Sequence, residues 1–376
     1  MKICVLGDAE AIHIRRIAAG LAGRGHLVRV LSHKTCDMPG VQVERFRVPR
    51  FGLRYPARWR QRWSMYLRRI MREHDVVHVN FLHDWGFTRE IAGAGRLVVS
   101  PWGSDIVKPP DLNAYPEEVV RSRRELLRMA DAVTVWGRFF AAKVAEFAGL
   151  PAEAISIAPL GVDLEQFRPT GAPKIDPPTV GFFKGFHPVY GPKVLVRAIP
   201  RVLARFPQVR FEMVGDGKLL DECRQLVESL GIAHAVRWID RQPHDRLPDI
   251  LDRWDLSVAP SICESFGVAA LESSAMEVPV VASRIGGLRE TVRHGQTGLL
   301  VPPSDPEALA NALTELLSDE PRRREMGVAG RRMVTEEYEW QSCLDRLEAV
   351  YRHVLLNRSR RTADKPAWLA ATGVDR

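Results

Sequence analysis

The chain has 376 residues, of which 45% are hydrophobic and 27% charged, and its formal net charge is +8. The length favours two domains, and the composition is that of a globular protein and excludes a largely disordered chain. No run of about 18 apolar residues occurs, which excludes a membrane-spanning helix of the usual length.

The N-terminus enters a strand pattern directly at 2–7 and lacks the zones of a signal peptide, so we expect a cytoplasmic protein. The five cysteines are scattered and form no CxxC pair, which argues against a disulfide framework and a zinc knuckle. The positive charge indicates an acidic partner: nucleic acid, an anionic lipid surface or a phosphate-bearing ligand.

The first half of the chain alternates strand and helix patterns. A helical stripe runs over 12–24, and strands are predicted at 2–6, 27–31, 41–47, 75–79, 96–100 and 132–136. This alternation predicts a parallel sheet with helices on both faces, in which ligands bind at the carboxyl ends of the strands. Gly7 and Asn80 follow two of those ends and are therefore candidate site residues.

Residues 45–72 carry the most unusual local pattern, because arginines alternate with aromatic residues and no acid lies between Glu44 and Glu73. From Ala57 onward, apolar residues recur at helical spacing beside an arginine face. Such a helix suits an anionic membrane surface. A nucleic-acid backbone or simple packing on the sheet would explain it as well. The membrane reading assigns the contacts to Arg58, Trp59, Arg62, Trp63 and Arg69.

A proline-rich stretch at 168–178 marks the expected domain boundary. We expect an N-terminal domain at 1–168, a linker at 169–178 and a second α/β domain at 179–335. Strands of the second domain are predicted at 179–183, 209–214, 235–239, 256–259, 278–282 and 298–301. A C-terminal helix at 336–356 is expected to pack back on the N-terminal domain, and the tail at 357–376 to be disordered.

The strongest constellation of the second half runs from Glu264 to Glu272, where a helix is predicted to open near 265–267 after a buried strand. The first backbone N–H groups of a helix are unpaired and lie at its positive dipole end, so those of Phe266, Gly267 and Val268 suit a diphosphate. The two glutamates suit sugar hydroxyls, one of a ribose and one of a transferred sugar. Alternatively, the first caps the helix and the second is solvated.

These residues, with GGLRE (286–290) and HGQTGLLV (294–301), resemble the retaining GT-B glycosyltransferases, a family 4-like group that includes bacterial mannosyltransferases and sucrose and glycogen synthases. Further landmarks follow in order: HIRRIAAGLAGRGHLV (13–28), DVVHVN (75–80), SPWGSD (100–105), APLGVD (158–163), VGDGK (214–218) and EYEWQSCLDRLEAVYRHVL (337–355). The resemblance implies two Rossmann-like doubly wound domains that face each other across a cleft.

The resemblance also implies roles on the donor side. Glu264 would contact the donor sugar and act in catalysis, and Glu272 would bind the nucleotide ribose, with Gly215, Gly286 and Gly287 in the same binding wall. The family usually adds an arginine and a lysine for the diphosphate, but here Tyr190 stands in the lysine's place. Lys184 is then the expected cation unless it is an ordinary loop lysine, and Lys193 is a less well placed substitute.

The acceptor side is expected to use Gly7, His13, Asn80 and Asp105. Family members often carry a histidine after the 75–79 strand, which makes His83 a catalytic candidate, although a loop histidine bonded to backbone would look the same. Asp105 would bind an acceptor hydroxyl or form an Asx turn. No Asp-x-Asp pair occurs, so no metal cofactor is expected, and Lys184 with the helix amides would stabilise the leaving diphosphate.

We therefore expect a metal-independent, retaining transferase that moves a hexose from a nucleotide-sugar to a hydroxyl. The expected acceptor is lipid-linked or a polysaccharide precursor, at the inner face of the membrane. A soluble transferase for a small acceptor such as a sugar phosphate is one alternative. A basic nucleic-acid-binding protein and a nucleotide-sugar epimerase or hydrolase are alternatives of other classes.

Overall fold

The computed structural model of the protein describes residues 1–45, 57–82, 96–107, 115–171, 174 and 176–361, without the side chains of 57–64 and 358–361. Within these residues the chain forms two parallel β-sheets, one of seven strands and one of six, with helices packed against them. Most strands are short apolar runs that are buried on both faces as parallel strands require, whereas the edge strands at 41–45, 155–157 and 236–239 are partly exposed.

The N-terminal sheet has the strand order β3-β2-β1-β4-β5-β6-β7. Its strands are β1 (Lys2–Leu6), β2 (Leu27–Ser32), β3 (Val41–Arg45), β4 (Val76–Asn80), β5 (Leu97–Ser100), β6 (Ala132–Val135) and β7 (Ile155–Ile157). The helices between them are α1 (Ile12–Gly23), α2 (Ala57–Glu73), α3 (Glu117–Met129) and α4 (Arg138–Ala148).

The C-terminal sheet has the order β10-β9-β8-β11-β12-β13. Its strands are β8 (Thr179–Phe183), β9 (Arg210–Val214), β10 (Val236–Ile239), β11 (Leu256–Ala259), β12 (Val280–Ser283) and β13 (Gly298–Val301). Its helices are α5 (Pro192–Leu203), α6 (Leu220–Ser229), α7 (Leu247–Leu251), α8 (Val268–Ala275), α9 (Leu288–Thr291), α10 (Pro306–Leu317) and α11 (Glu320–Glu337).

The last helix, α12 (Trp340–Arg361), returns to the N-terminal sheet and packs against α1. Arg24, which directly follows α1, donates to Asp345 at 2.7 Å, and the absent Cβ of Gly20 leaves the space that Leu344 fills. The hydroxyl of Tyr351 lies 2.7 Å from Nδ1 of the buried His78 in β4. The C-terminal helix is thus part of the core of the N-terminal half.

The strand order of each sheet reverses beside its first strand, between β1 and β4 and between β8 and β11. In open parallel sheets of this kind the loops diverge on either side of the reversal and leave a crevice at the carboxyl ends of the strands. The two crevices of this chain line the same cavity, which lies between the two sheets.

The predicted α/β architecture is confirmed, and the predicted strands are present with bounds that differ by at most two residues where they are described. Strand β7 was not predicted, because three residues between Pro151 and Pro159 give too short a pattern. Helix α8 begins at Val268, directly after the predicted opening at 265–267, because Gly267 has a non-helical φ of +105°. Helix α12 runs past the predicted start of the tail at 357, and 362–376 lie outside the described residues.

Candidate active site

A cavity of about 760 Å³ lies between the two sheets. Its walls come from the start of α1 and the loops after β4, β5 and β6 on the N-terminal side, and from the loops after β8, β9, β10, β11 and β12 on the C-terminal side. Every contributing loop follows the carboxyl end of a parallel strand, so the cavity has the position that ligand sites occupy in such folds.

The N-terminus of α8 opens onto this cavity. Residues 266–269 line it, and the left-handed conformation of Gly267 turns the chain into the helix there. A Cβ on Gly267 would lie 2.8 Å from the side chain of Leu288, so both conformation and space favour glycine. The first amides of α8 have no partner within the helix and provide donors for an anion at this wall.

Lys184 and Glu264 form a hydrogen-bonded ion pair in the cavity wall, and each side chain is 13% exposed. Lys184 follows β8 directly, and Glu264 lies in the loop between β11 and α8. Burial acts to lower the pKa of Lys184, but the adjacent Glu264 carboxylate outweighs it and the pKa is raised. The sequence-predicted cation is thus in the cavity and remains protonated at neutral pH.

Tyr190, which stands where a second cation was expected, lies against the first one. The Lys184 Nζ is 4.5 Å from the centre of the Tyr190 ring, a cation–π arrangement. The predicted substitute, Lys193, instead pairs with Glu222 and is not among the residues that line the cavity. Arg241, which the sequence reasoning missed, lines the cavity as a further cation and lies 3.8 Å from Asp216.

Glu272 is buried in α8 and reaches the cavity wall, where its Oε1 lies 2.7 Å from Nε2 of His244. His244 is held in turn by the side-chain amide of Gln166, which donates to the His244 carbonyl at 3.1 Å, and by the ring of Phe167, 5.2 Å away. His244 was not predicted, because a histidine in the loop QPHDR gives no sequence signal. The structure makes it the residue that fixes the orientation of Glu272.

The three predicted glycines lie at close contacts of the backbone. A Cβ on Gly215 would lie 2.5 Å from the Lys184 carbonyl oxygen, and one on Gly286 would lie 2.0 Å from that of Glu264. Both residues line the cavity and have positive φ. Gly287 lies behind the wall, where its N–H donates to the Glu264 carbonyl at 3.0 Å. These glycines position the loops that carry the charged residues.

Of the predicted acceptor residues, His13 lines the cavity. Its ring contacts those of Trp102 and Trp136, with centroid distances of 5.5 and 5.1 Å. Burial, the positive charge of Arg16 and more distant cations lower the pKa of His13 to about 3. His13 is therefore a neutral ring in an aromatic environment.

Three other acceptor candidates lie in the packing beneath the cavity. Asp105 is buried, and its carboxylate accepts backbone N–H groups from Leu82 at 2.9 Å and Gly103 at 2.7 Å, so it orders its own loop. Asn80 is buried in β4, and a Cβ on Gly7 would meet Ile14 of α1 at 2.6 Å. These three residues are not in the cavity wall, contrary to the expected direct contact. His83 lies outside the described residues.

The arginine-rich segment includes α2, whose residues Leu67, Ile70 and Met71 are buried against the N-terminal sheet. Arg69 is exposed and pairs with Glu73 at 2.8 Å. The structure does not describe the side chains of Arg58, Trp59, Arg62 and Trp63. Membrane contact stays a prediction. In the described part of the chain, no helix has the length and apolar character needed to cross a bilayer.

Hydrogen bonds from Ser265 and to Glu290 join the halves of the chain beside the cavity. The Ser265 hydroxyl donates to the Trp102 carbonyl at 2.6 Å, and Glu290 accepts the backbone N–H of Phe139 at 2.6 Å. The residues that the structure describes contain no group of three or more His, Cys, Asp or Glu side chains arranged to hold a metal ion.

Comparison with known proteins matches both halves of the chain to family models. "Glycosyltransferase Family 4" matches residues 11–166, and "Glycosyl transferases group 1" matches residues 164–333. The sucrose-phosphate synthase of Thermosynechococcus elongatus has the same fold, with a TM-score of 0.79 over 95% of this chain and 100% of that one, at 24% identity.

Two curated relatives are similar in sequence. The chain is 31% identical over 297 residues to the GDP-mannose-dependent alpha-(1-6)-phosphatidylinositol monomannoside mannosyltransferase of Mycolicibacterium smegmatis, a match that covers 73% of this chain and 76% of that protein. It is 39% identical over 167 residues to the D-inositol 3-phosphate glycosyltransferase of Corynebacterium diphtheriae, which covers 43% of this chain and only 39% of that protein's length.

Proposed function

We propose that this protein transfers a hexose with retention of configuration. The chain belongs to the GT-B glycosyltransferases, which take a sugar from a nucleotide donor. The acceptor would be a hydroxyl of a lipid-linked molecule or a polysaccharide precursor, and the reaction would need no metal. The observation that carries this proposal is the Lys184–Glu264 pair at the N-terminus of α8, inside a cavity that both domains line.

The donor fits the C-terminal wall of the cavity. The first amides of α8 and the Lys184 ammonium group would bind the diphosphate, and Arg241 offers a second positive charge on the same wall. Glu272, oriented by His244, would accept hydrogen bonds from the ribose hydroxyls. Glu264 would orient the transferred sugar beside the phosphate, since it is bonded to the cation that neutralises the leaving group.

Retention is supported by the distribution of carboxylates. An inverting enzyme needs a base on the acceptor face, opposite the leaving group. Among the described residues, the N-terminal side of the cavity wall has no Asp or Glu, and His13 with a pKa of about 3 is too weak a base to take a proton from a hydroxyl at neutral pH. The acceptor would therefore attack on the face from which the diphosphate departs, and the diphosphate would accept the proton.

A charged ammonium group and a helix N-terminus can replace a metal ion at the leaving group. Lys184 keeps its proton because its pKa is raised, so its charge is available as the bond between the anomeric carbon and the diphosphate oxygen breaks. Its position against Tyr190 and Glu264 fixes the cation before substrate arrives, and such preorganised charge lowers the barrier without reorganisation.

For the acceptor, we propose a molecule at an anionic membrane surface, with the protein resting on the inner face through α2. The exposed face of α2 includes Met65, Arg68, Arg69 and Arg72, which suits contact with acidic headgroups. The mycobacterial relative acts, by its name, on a phosphatidylinositol mannoside. Sedimentation with vesicles of anionic and of neutral lipids tests this part; a protein that binds neither would be the soluble transferase of the alternative reading.

A thermal-shift screen of nucleotides and nucleotide-sugars tests the donor site, because a ligand that binds only the folded protein raises its melting temperature. We expect one nucleotide and its sugar conjugate to raise it. Incubation of that conjugate with acceptor, followed by NMR of the anomeric proton, reports the configuration of the product. Stabilisation by no nucleotide-sugar, or consumption of donor without acceptor, would contradict the proposed reaction.

A further inference from the structure

The two walls of the cavity differ completely in charge. Among its described lining residues, every Lys, Arg, Asp and Glu belongs to the C-terminal domain. The N-terminal wall contributes apolar and small residues together with a set of rings that we call the aromatic wall: His13, Phe81, Trp102, Trp136, Phe139 and Phe140. A charged donor wall therefore faces a neutral, ring-rich surface.

The centre of the aromatic wall is a cluster of rings in mutual contact. The Trp102 and Trp136 rings have their centroids 5.4 Å apart and are inclined by 38°, and His13 contacts both edge-on. Phe81 extends the cluster on one side, with its centroid 6.0 Å from that of Trp102. On the other side Trp136 reaches Phe266 at 6.3 Å. These contacts hold the rings of His13, Trp102 and Trp136 against one another.

The aromatic wall lies beside the residues that would carry the donor sugar. The Ser265 hydroxyl donates to the Trp102 carbonyl at 2.6 Å, and Ser265 stands between Glu264 and Phe266 in the chain. A molecule held on Trp102 and Trp136 therefore lies next to the Glu264 side of the cavity. That is the place where an acceptor hydroxyl must be to receive a sugar.

We infer that the aromatic wall binds an uncharged sugar ring of the acceptor, stacked on Trp102 and Trp136, and discriminates against a phosphorylated sugar. The C–H face of a pyranose is apolar and weakly positive, which suits the negative face of an indole ring. The Ser104 hydroxyl at the edge of the wall can bond a sugar hydroxyl. This inference rests on the proposed function, because it takes the cavity as the site of transfer.

Discrimination against phosphate follows from desolvation. A phosphate placed on the aromatic wall would lose water, and no described residue of that wall offers a positive charge in return. His13 does not supply one, since burial and neighbouring cations keep its ring neutral. Binding of a sugar phosphate would thus lose desolvation free energy that binding of an unphosphorylated glycoside does not lose. The aromatic wall should therefore bind neutral glycosides in preference to small phosphorylated molecules.

Tryptophan fluorescence gives a direct readout that does not need turnover. The full-length protein, saturated with the nucleoside diphosphate found in the screen, is titrated with methyl glycosides of mannose, glucose and galactose and with the corresponding 6-phosphates. We expect at least one neutral glycoside to quench the fluorescence saturably and its 6-phosphate to bind about tenfold more weakly or not at all. Octyl phosphate is included as a probe for an apolar chain.

Substitutions in the aromatic wall test whether it is the surface that binds the glycoside. Trp102→Leu should weaken glycoside binding, measured by calorimetry, about tenfold, and the matched Trp238→Leu, away from the cavity, should not. Ser104→Arg should raise the affinity for the 6-phosphate, whereas Ser229→Arg on the exposed face of α6 should not. The nucleotide-induced rise in melting temperature must persist in each variant, which shows an intact fold; Trp136→Leu replaces Trp102→Leu if the latter fails to fold.

Binding of a 6-phosphate as tight as that of its glycoside would overturn the inference, as would glycoside binding unchanged in Trp102→Leu, or binding of octyl phosphate alone. Binding of none of the probes would overturn it too. The proposed reaction fails by a different result, the lack of stabilisation by any nucleotide-sugar, so the two failures are distinguishable.

Discussion

Glu290 accepts the backbone N–H of Phe139 at 2.6 Å and thereby joins the C-terminal half of the chain to the N-terminus of α4 in the other half. Its second oxygen accepts the N–H of Arg138 at 2.8 Å. The carboxylate thus occupies the positive end of a helix that belongs to the opposite domain. Gly137 gives it room, because a Cβ there would lie 3.1 Å from the Glu290 oxygen.

Removal of this carboxylate should loosen the contact between the domains. Hydrogen bonds to a charged group contribute about 1.5–3 kcal/mol, so Glu290→Ala should increase the opening of α4 by roughly tenfold or more. Hydrogen exchange of the amides of Arg138 and Phe139 measures this directly. Glu307→Ala removes an exposed carboxylate elsewhere on the C-terminal domain and is the control. Equal protection of these amides from exchange in wild type and Glu290→Ala would show that the contact does not stabilise the N-terminus of α4.

The buried pair of Glu272 and His244 should control donor binding. Glu272→Ala should weaken nucleotide-sugar binding about tenfold or more, because it removes the carboxylate expected to hold the ribose. His244→Ala should have a smaller effect in the same direction, since it only frees Glu272 to rotate. Calorimetric titration with the donor measures both, and His234→Ala, an exposed histidine, is the control.

The double variant distinguishes positioning from independent contact. If His244 acts through Glu272, the two losses should not add, and Glu272→Ala/His244→Ala should bind donor about as weakly as Glu272→Ala alone. Fully additive losses would mean that His244 contacts the nucleotide by itself. Unchanged affinity in Glu272→Ala would remove Glu272 from the donor site.

The Lys184–Glu264 pair should affect turnover more than donor binding. Glu264→Ala should lower kcat while the donor Kd changes little, because the role proposed for Glu264 is to orient the sugar as it is transferred. Lys184→Met removes the cation and leaves a largely buried carboxylate unpaired, which should cost roughly 3 kcal/mol of stability as well as activity. Steady-state kinetics and chemical denaturation measure the two effects.

A second substitution separates stability from chemistry at this pair. Lys184→Met/Glu264→Gln no longer buries an unpaired charge, so it should recover much of the lost stability and remain inactive. Lys193→Met, which removes the partner of the exposed Glu222, should be near wild type in both measurements. Wild-type kcat in Glu264→Ala or in Lys184→Met would refute the assignment.

The residues of this pair could be predicted from sequence because the run from Glu264 to Glu272 resembles the GT-B family and because each residue follows a strand of strong apolar pattern. The strands that end at 183 and 259 place Lys184 and Glu264 at the same edge of the sheet, provided that the two strands are parallel. The start of α8 was predicted for the same reason, within three residues. Local pattern and sheet topology suffice for such features.

Features that depend on packing between distant segments could not be predicted in this way. The partner of Glu272 is a histidine 28 residues earlier, and the aromatic wall gathers rings from four separate segments of the chain. The sequence left two interpretations of Asp105 open, and the structure shows that its carboxylate accepts backbone N–H groups from Trp102 and Gly103 in its own loop and from the distant Leu82. No periodicity in the chain encodes these contacts.

Activity should survive a chelator, because the proposed leaving-group stabilisation uses Lys184 and the amides of α8. Transfer rates measured with and without excess EDTA should agree within experimental error. Loss of activity that added Mg²⁺ or Mn²⁺ restores would show that a divalent cation takes part and that Lys184 does not neutralise the diphosphate alone.

Acid should weaken the N-terminal half of the fold through the buried His78. Its Nε2 lies 2.6 Å from the Ser100 hydroxyl and its Nδ1 2.7 Å from that of Tyr351, and burial lowers its pKa to about 3. In the unfolded chain the pKa returns to about 6.5, so below that pH the unfolded state binds the extra proton. The contribution of neutral His78 to the free energy of unfolding is therefore complete well above pH 6.5 and falls as the pH drops towards 3, by about 1.6 kcal/mol between pH 6.5 and 5.

The test measures how steeply the free energy of unfolding changes with pH between 7 and 5 in the wild type, His78→Gln and His353→Gln. His78→Gln is less stable at pH 7 because it disturbs the bonds to Ser100 and Tyr351, but it should lose less stability on acidification than the wild type does. His353→Gln, on the exposed face of α12, should keep the wild-type slope. The slope should not vanish in His78→Gln, because the pKa of His13 is also lowered to about 3 and acts in the same direction. Equal slopes in all three proteins would mean that His78 is not held neutral in the folded chain.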